Sequence, residues 1–228
     1  MRMDERRGVD MTDAGSGRVW GTIPPTRLPG GLRKKPLQER SKAAIRNVLD
    51  VAAQIVLEQG VDALVGSPTL LLERSGFSKG SFYAFFETPD SVLDELALQC
   101  MLDSREEQAK LFSDPGFGTW TEFVDALVDQ YCDWFRIPLV RAIWVGQRFT
   151  ANTRLRDRIW IEEMAVMLHA ELSGYEGCFE NLTLTQCEVV VEVLERLGQV
   201  AFRDDPDGSE SVIDEMRTLV HGYLAVCQ

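Results

Sequence analysis

The stretch Ser67-Pro-Thr-Leu-Leu-Leu-Glu-Arg-Ser-Gly-Phe-Ser-Lys-Gly-Ser-Phe-Tyr-Ala-Phe-Phe86 constrains this chain more than any other. It predicts two short helices joined by a tight turn. Ser67 can cap the first, with Pro68 at its first position, where a missing N–H costs nothing. Leu70, Leu71 and Leu72 supply its buried side. Gly76 stands where the helix must stop and the chain reverse, a place for a residue that tolerates positive φ. Phe77 can plug the core beneath the turn, and Ser78 caps the second helix, about 79–85. Phe82 and Phe86 lie four apart and face inward. Lys79, Ser81, Tyr83 and Ala84 remain on the outer side. A helix with small, polar and basic residues at its exposed start can enter a DNA major groove.

These residues resemble the TetR family of bacterial transcriptional regulators. The similarity runs from Val48 to Leu93: Val48-Leu-Asp-Val-Ala-Ala53 and Glu58-Gln-Gly60 for the first helix, Ser75-Gly-Phe-Ser-Lys-Gly-Ser-Phe-Tyr-Ala-Phe-Phe86 for turn and recognition helix, and Ser91-Val-Leu93 for the next helix. There are four departures. The path from Gly60 to Gly76 is two residues longer than the family usually has, around Val65-Gly66. Leu72 and Ser75 replace preferred alanines. Phe85 stands where the family commonly has a phosphate-reaching Tyr or His, and Pro89 where it commonly has Lys. The last two remove phosphate contacts, so backbone affinity must come partly from elsewhere.

A net charge of −12 is unusual for a DNA binder, but the charge is unevenly spread. Residues 1–46 carry 11 Lys/Arg and 5 Asp/Glu, a net of +6; residues 47–228 carry 13 and 31, a net of −18. Positive charge therefore sits beside the helix pair and negative charge on the body, which orients a protein toward a polyanion. Residues 1–36 are rich in Gly and Pro and end in Arg33-Lys34-Lys35, predicting a flexible basic arm that lies along phosphates or enters a minor groove. Lys42 and Arg46 fall early in the following helix, off its apolar stripe of Ile45, Val48, Leu49, Ala52, Ile55 and Val56.

Periodicity and caps predict an all-α chain of about nine helices: 37–59, 68–75, 79–85, 89–112, 120–135, 138–149, 153–172, 184–202 and 210–227. Thr88, Asn152 and Thr183 or Thr185 are the expected caps of three of them. The domain organisation expected is an arm at 1–36, a helix-turn-helix domain at 37–87, and a helical effector-binding and dimerisation domain at 88–228. No apolar run reaches the 18 residues of a membrane span, and no apolar segment near the start suggests a secretory signal, so a cytoplasmic protein without a membrane partner is expected. The five cysteines form no Cys-x-x-Cys pair and are expected as thiols. His169 and His221 have no partner at metal-ligand spacing, and no nucleophile elbow or phosphate loop is present. No enzyme, metal or cofactor is expected.

The resemblance implies a repressor that binds double-stranded operator DNA as a homodimer through its last two helices. Release follows binding of a small, mostly apolar effector. The expected DNA-facing residues are Lys42, Arg46, Ser67, Thr69, Ser78, Lys79, Ser81, Tyr83 and Ala84. The expected effector residues, chosen by type and position in the aromatic-rich middle helices, are Trp120, Phe123, Tyr131, Trp134, Trp144 and Phe149. The alternative is a helical ligand-binding or interaction dimer that has lost specific DNA binding; salt dependence separates the two.

Overall fold

The computed structural model describes residues 30–228 except Pro115 and Arg148; most of the expected arm, residues 1–29, lies outside the described residues. Among the described residues the fold is all-α, with ten helices: α1 (Glu39–Gln59), α2 (Val61–Gly66), α3 (Pro68–Ser75), α4 (Lys79–Phe85), α5 (Pro89–Ser113), α6 (Trp120–Arg136), α7 (Pro138–Trp144), α8 (Ala151–Leu172), α9 (Leu184–Ala201) and α10 (Glu210–Val226).

The helix added to the expected nine is α2, and it accounts for the longer path out of α1. Gly60, at φ 83°, ends α1 and turns the chain. Val61 and Leu64, three apart, then bury one side of a short helix against α1 and α5. A single i,i+3 pair is too brief a period to register in a sequence pattern. The apolar stripe of α1 is buried as expected. Gly76 ends α3 at φ 65°, in the left-handed region. Ser67 precedes Pro68 at the start of α3 but makes no side-chain cap there.

Helix α5 begins under these four helices, which form a head, and runs on into the body. Thr88 and Ser91 close a reciprocal capping box at its start. At 25 residues it spans about 37 Å. In the body, α8, α9, α10 and α6 pack in succession. Gly198 of α9 makes the α6–α9 approach possible: a Cβ there would stand 2.4 Å from the Phe135 ring. Helix α7 ends at Trp144 rather than near Phe149, because Gln147 takes a positive φ of 49° and turns the chain out of the helix. Thr150, not Asn152, caps α8: its Oγ1 accepts from the Asn152 and Thr153 amides, leaving the Asn152 side chain to reach elsewhere.

Residues 30–36, expected as part of a flexible arm, are instead tied down. Leu32 bridges Phe86 in an isolated antiparallel pair, and the Arg33 amide donates to the Phe85 carbonyl at 2.7 Å. Gly30 and Gly31 lie so close to Glu95 and Ser91 that a Cβ would meet the Glu95 carboxylate at 1.4 Å and the Ser91 carbonyl at 1.5 Å. Beneath them Asp94 accepts from Thr150, from Thr153 at 2.5 Å and from Asn152 at 3.4 Å, while Asn152 also donates to the Gly30 carbonyl. The buried cluster of Asp94, Glu95, Thr153 and Arg156 thus joins the arm, α5 and α8. Glycine content suggested looseness; close approach is what these two glycines provide.

Candidate nucleic-acid interface and effector cavity

The exposed face of the head is built from α4 outward. Ser78 caps that helix through its Oγ, which accepts from the Ser81 amide at 3.1 Å. Its hydroxyl also donates to Ser81 Oγ at 2.8 Å. Phe82 and Phe86 are fully buried with ring centroids 5.5 Å apart, and they fix which side of α4 faces out. Lys79, Ser81, Tyr83 and Ala84 share the exposed side, with the Tyr83 ring braced edge-on against Phe82 at 5.2 Å. Thr69 is exposed in the first turn of α3, next to half-buried Ser67. On α1, Arg46 is exposed and Lys42 pairs with Glu39 at 2.7 Å. That pair is solvated and worth little, so Lys42 stays available to an anion.

The arm adds two cations that were not assigned a place from sequence. Arg33 donates from its guanidinium to the Tyr83 carbonyl at 3.1 Å, and Lys34 Nζ sits 4.7 Å above the Phe85 ring. The sequence shows the basic run but not its seat, because the pairing spans about 50 residues. Phe85, which cannot reach a phosphate itself, carries an ammonium over its face.

In the body, a cavity of about 430 Å³ opens between α5, α6, α8 and α9. Its floor is Tyr131, Trp134, Trp160, Gln108 and Glu195; its mouth carries the exposed carboxylates Asp103, Glu107, Asp129 and Asp133. Of the expected effector residues, Tyr131 and Trp134 line this cavity. Trp120, Phe123, Trp144 and Phe149 do not. Trp120 packs on Phe179 and His221, and Phe123 is fully buried against Phe112 and Phe117. Trp144 stands behind Trp134 at 4.7 Å, with Phe149 behind it at 5.5 Å. Aromatic type alone does not separate lining from support. Gln108, Trp160 and Glu195 come from three other helices, and only the packing order brings them together.

Several polar groups here are buried and unpaired. Gln108 Oε1, Gln130 Oε1 and Trp134 Nε1 are buried without hydrogen-bond partners. Glu195 accepts from Gln199 Nε2 at 3.1 Å. Burial, and then the neighbouring carboxylates Asp157 and Glu192, push its carboxyl up to about 8. Burial also raises Asp157, against the opposing effect of the Trp144 indole N–H that donates to it at 3.2 Å. A second groove of about 440 Å³ follows α5 and α8, shares Gln108 and Trp160 with the first, and is lined by Ile159, Met164, Val166 and Met167.

Among the described residues, no group of three or more His, Cys, Asp or Glu residues could hold a metal ion, and all five cysteines are free thiols. His169 contacts the Leu182 carbonyl and His221 pairs with Asp125.

The geometry has counterparts among known proteins. Residues 118–226 match the family model described as the tetracyclin repressor-like C-terminal domain. The crystal structure of a TetR-family transcriptional regulator from Streptomyces coelicolor shares 29% identity, over 81% of this chain and 99% of that one, with a TM-score of 0.59. No curated protein matches the sequence. With this body behind a capped helix-turn-helix head, the chain has the fold of a TetR-family transcriptional regulator and, over residues 118–226, matches that family's C-terminal domain.

Proposed function

We propose that the protein is a homodimeric repressor that binds operator DNA through α4 and leaves it when a small effector occupies the body cavity. The observation that carries this is the outer side of α4. Its apolar residues are locked inward by Phe82 and Phe86, while Lys79, Ser81, Tyr83 and Ala84 are exposed behind a capped start. In a major groove, Lys79 can donate to guanine O6 or N7 and the Ala84 methyl can meet a thymine methyl. Lys42, Arg46, Ser67, Thr69 and Ser78 are the phosphate-positioning groups in this reading. Residues 37–87 act as the DNA-binding domain and 88–228 as the effector and dimer domain, working in the cytoplasm. No described helix is long and apolar enough to cross a membrane.

Helix α5 is the coupling element. One end is capped beneath the head, its Asp94–Glu95 pair holds the arm and α8, and its later turns give the cavity Asp103, Ser104, Glu107, Gln108 and Leu111. An effector that favours one position of α5 lowers DNA affinity only to the extent that it binds that arrangement better. Dimerisation is supported by apolar side chains left uncovered on the last two helices. Leu184 and Val189 on α9, and Leu219 and Val226 on α10, are 40–85% exposed. A second copy would cover them and set two heads at a fixed spacing, as half-site recognition requires.

The test is binding of purified protein to its own promoter-proximal DNA at two salt concentrations with random-sequence competitor. Competitor-resistant binding that falls steeply with salt supports the repressor. Binding no better than to random DNA sinks it in favour of a ligand-binding dimer. Leu219→Glu, assayed by sedimentation, is expected to yield monomer; an unchanged dimer would move the interface elsewhere.

A further inference from the structure

We infer that the effector is an organic cation with an apolar, ring-bearing body, held by the carboxylates and aromatic floor of the α5–α6–α8–α9 cavity; this rests on the effector-responsive reading above. Among the described residues the cavity wall has no Lys, Arg or His, while five carboxylates reach it. Three of those at the mouth already have cation partners outside the wall: Glu107 with Lys110, Asp133 with Arg136, and Asp129 with Arg217. The Glu107 and Asp133 pairs are exposed, weak and exchangeable, whereas Arg217 is partly buried and shared with Asp125. Among the described residues, Asp103 at the mouth and Glu195 at the floor have no such cation.

The floor gives an independent reason. Gln108 is more than nine-tenths buried, and its Oε1 has no partner. Gln130, a half-buried residue, also has an Oε1 without a partner, and Glu195 adds a buried carboxyl. Two unsatisfied acceptors and one acid, against the single unpaired donor Trp134 Nε1, call on balance for a donor, and a buried polar atom left unpaired costs about 1–3 kcal/mol. A purely apolar ligand would seal them in unpaired. An anion would add its charge to the carboxylates in a site of reduced dielectric. A cation with N–H groups satisfies the acceptors, and the faces of Trp134, Trp160 and Tyr131 favour it further. The adjoining groove past Gln108 and Trp160, with Met164 and Met167, offers room for an extended apolar tail. The apolar effector expected from sequence therefore gains a charge.

The experiment uses three probes that share one ring system: 1-naphthylmethylammonium, 1-naphthalenemethanol and 1-naphthoate. Binding to the full chain is measured by calorimetry near neutral pH, and operator affinity is measured in parallel with and without each probe. The ammonium is expected to bind about ten times tighter than the alcohol, with the carboxylate weakest. Glu195→Gln, measured additionally at pH 8.5, where the parent carboxyl raised to about 8 is ionised, is expected to shrink that preference there while leaving the alcohol unchanged. Asp103→Asn, at an exposed position where folding is not at risk, is expected to shrink it less. Equal or tighter binding of the alcohol or the carboxylate overturns the inference, and so does failure of all three to bind. Operator binding that persists alongside such a failure overturns only the ligand class. A cation preference without any change in DNA affinity upholds the ligand class and overturns the coupling.

Discussion

The head and the cavity wall of this protein are built to opposite standards of polar pairing. Every buried residue of α1 to α4 is apolar, and no buried polar side-chain atom there lacks a partner among the described residues. Around the cavity, Gln108, Gln130 and Trp134 hold buried polar atoms without partners, and Glu195 is buried with its carboxyl held above the ordinary range. The head keeps its buried side purely apolar and its polar side chains at least partly in solvent. If the cavity is the effector site proposed above, it gives up stability for groups that a ligand would complete, a common relation between stability and function.

The largest test of that contrast is Glu195→Gln. Tyr131, Asp157, Glu192 and Gln199 face Glu195, and no cation is among the causes of its shift. Its folded-state carboxyl is raised from 4.5 to about 8, so the folded chain keeps a proton that the unfolded chain has released across that window. Stability from this group is therefore full at the acid end, falls as pH rises, and levels off above the folded value. The amide removes that dependence. The variant is expected to be more stable than the parent on the alkaline side by on the order of a few kcal/mol, and about equal near pH 4. Denaturant melts across this range decide it. A parent as stable at alkaline pH as at the acid end would mean the cavity carries no such burden.

Tyr83→Ala is the matching test for the head. It is expected to weaken operator binding by about 1–3 kcal/mol while melting temperature and dimer hold. Unchanged DNA affinity, read by fluorescence anisotropy, would remove this face from the interface. Gly76→Ala probes the turn itself. A side chain at φ 65° meets no neighbour but strains the backbone, so a loss of about 1 kcal/mol in unfolding free energy, read from a lower denaturant midpoint, is expected. No loss would mean the turn relaxes freely.

The same contrast explains what the sequence disclosed. Head signals are local: Ser78 and its amide partner are three residues apart, Phe82 and Phe86 four, and Gly76 needs only its own φ. Such features survive as spacing. Cavity residues come from α5, α6, α8 and α9, and which aromatic faces the void depends on packing order. Trp134 lines it and Trp144, ten positions on, supports it. Helix α2 and the strapped arm escaped for related reasons, one being a single turn and the other depending on contacts with residues about 50 positions away.

The finest test asks whether the arm repairs the head's missing phosphate contacts. Lys34 is exposed but seated over Phe85, so it has less rotamer freedom to lose on meeting a phosphate than a free lysine. Lys34→Ala is expected to weaken binding uniformly across DNA sequences and to lower the slope of log affinity against log salt by about 1. Phe85→Leu keeps the charge and removes the seat, which is worth about 0.5–1 kcal/mol at an exposed site. Its expected cost is smaller and leaves the salt slope unchanged. If Lys34→Ala leaves the slope intact, the ammonium contacts no phosphate, and the ring contact serves only to hold the arm on α4. If both substitutions lower the slope equally, the seat is what directs the charge to the DNA, and Phe85 acts in phosphate binding through Lys34.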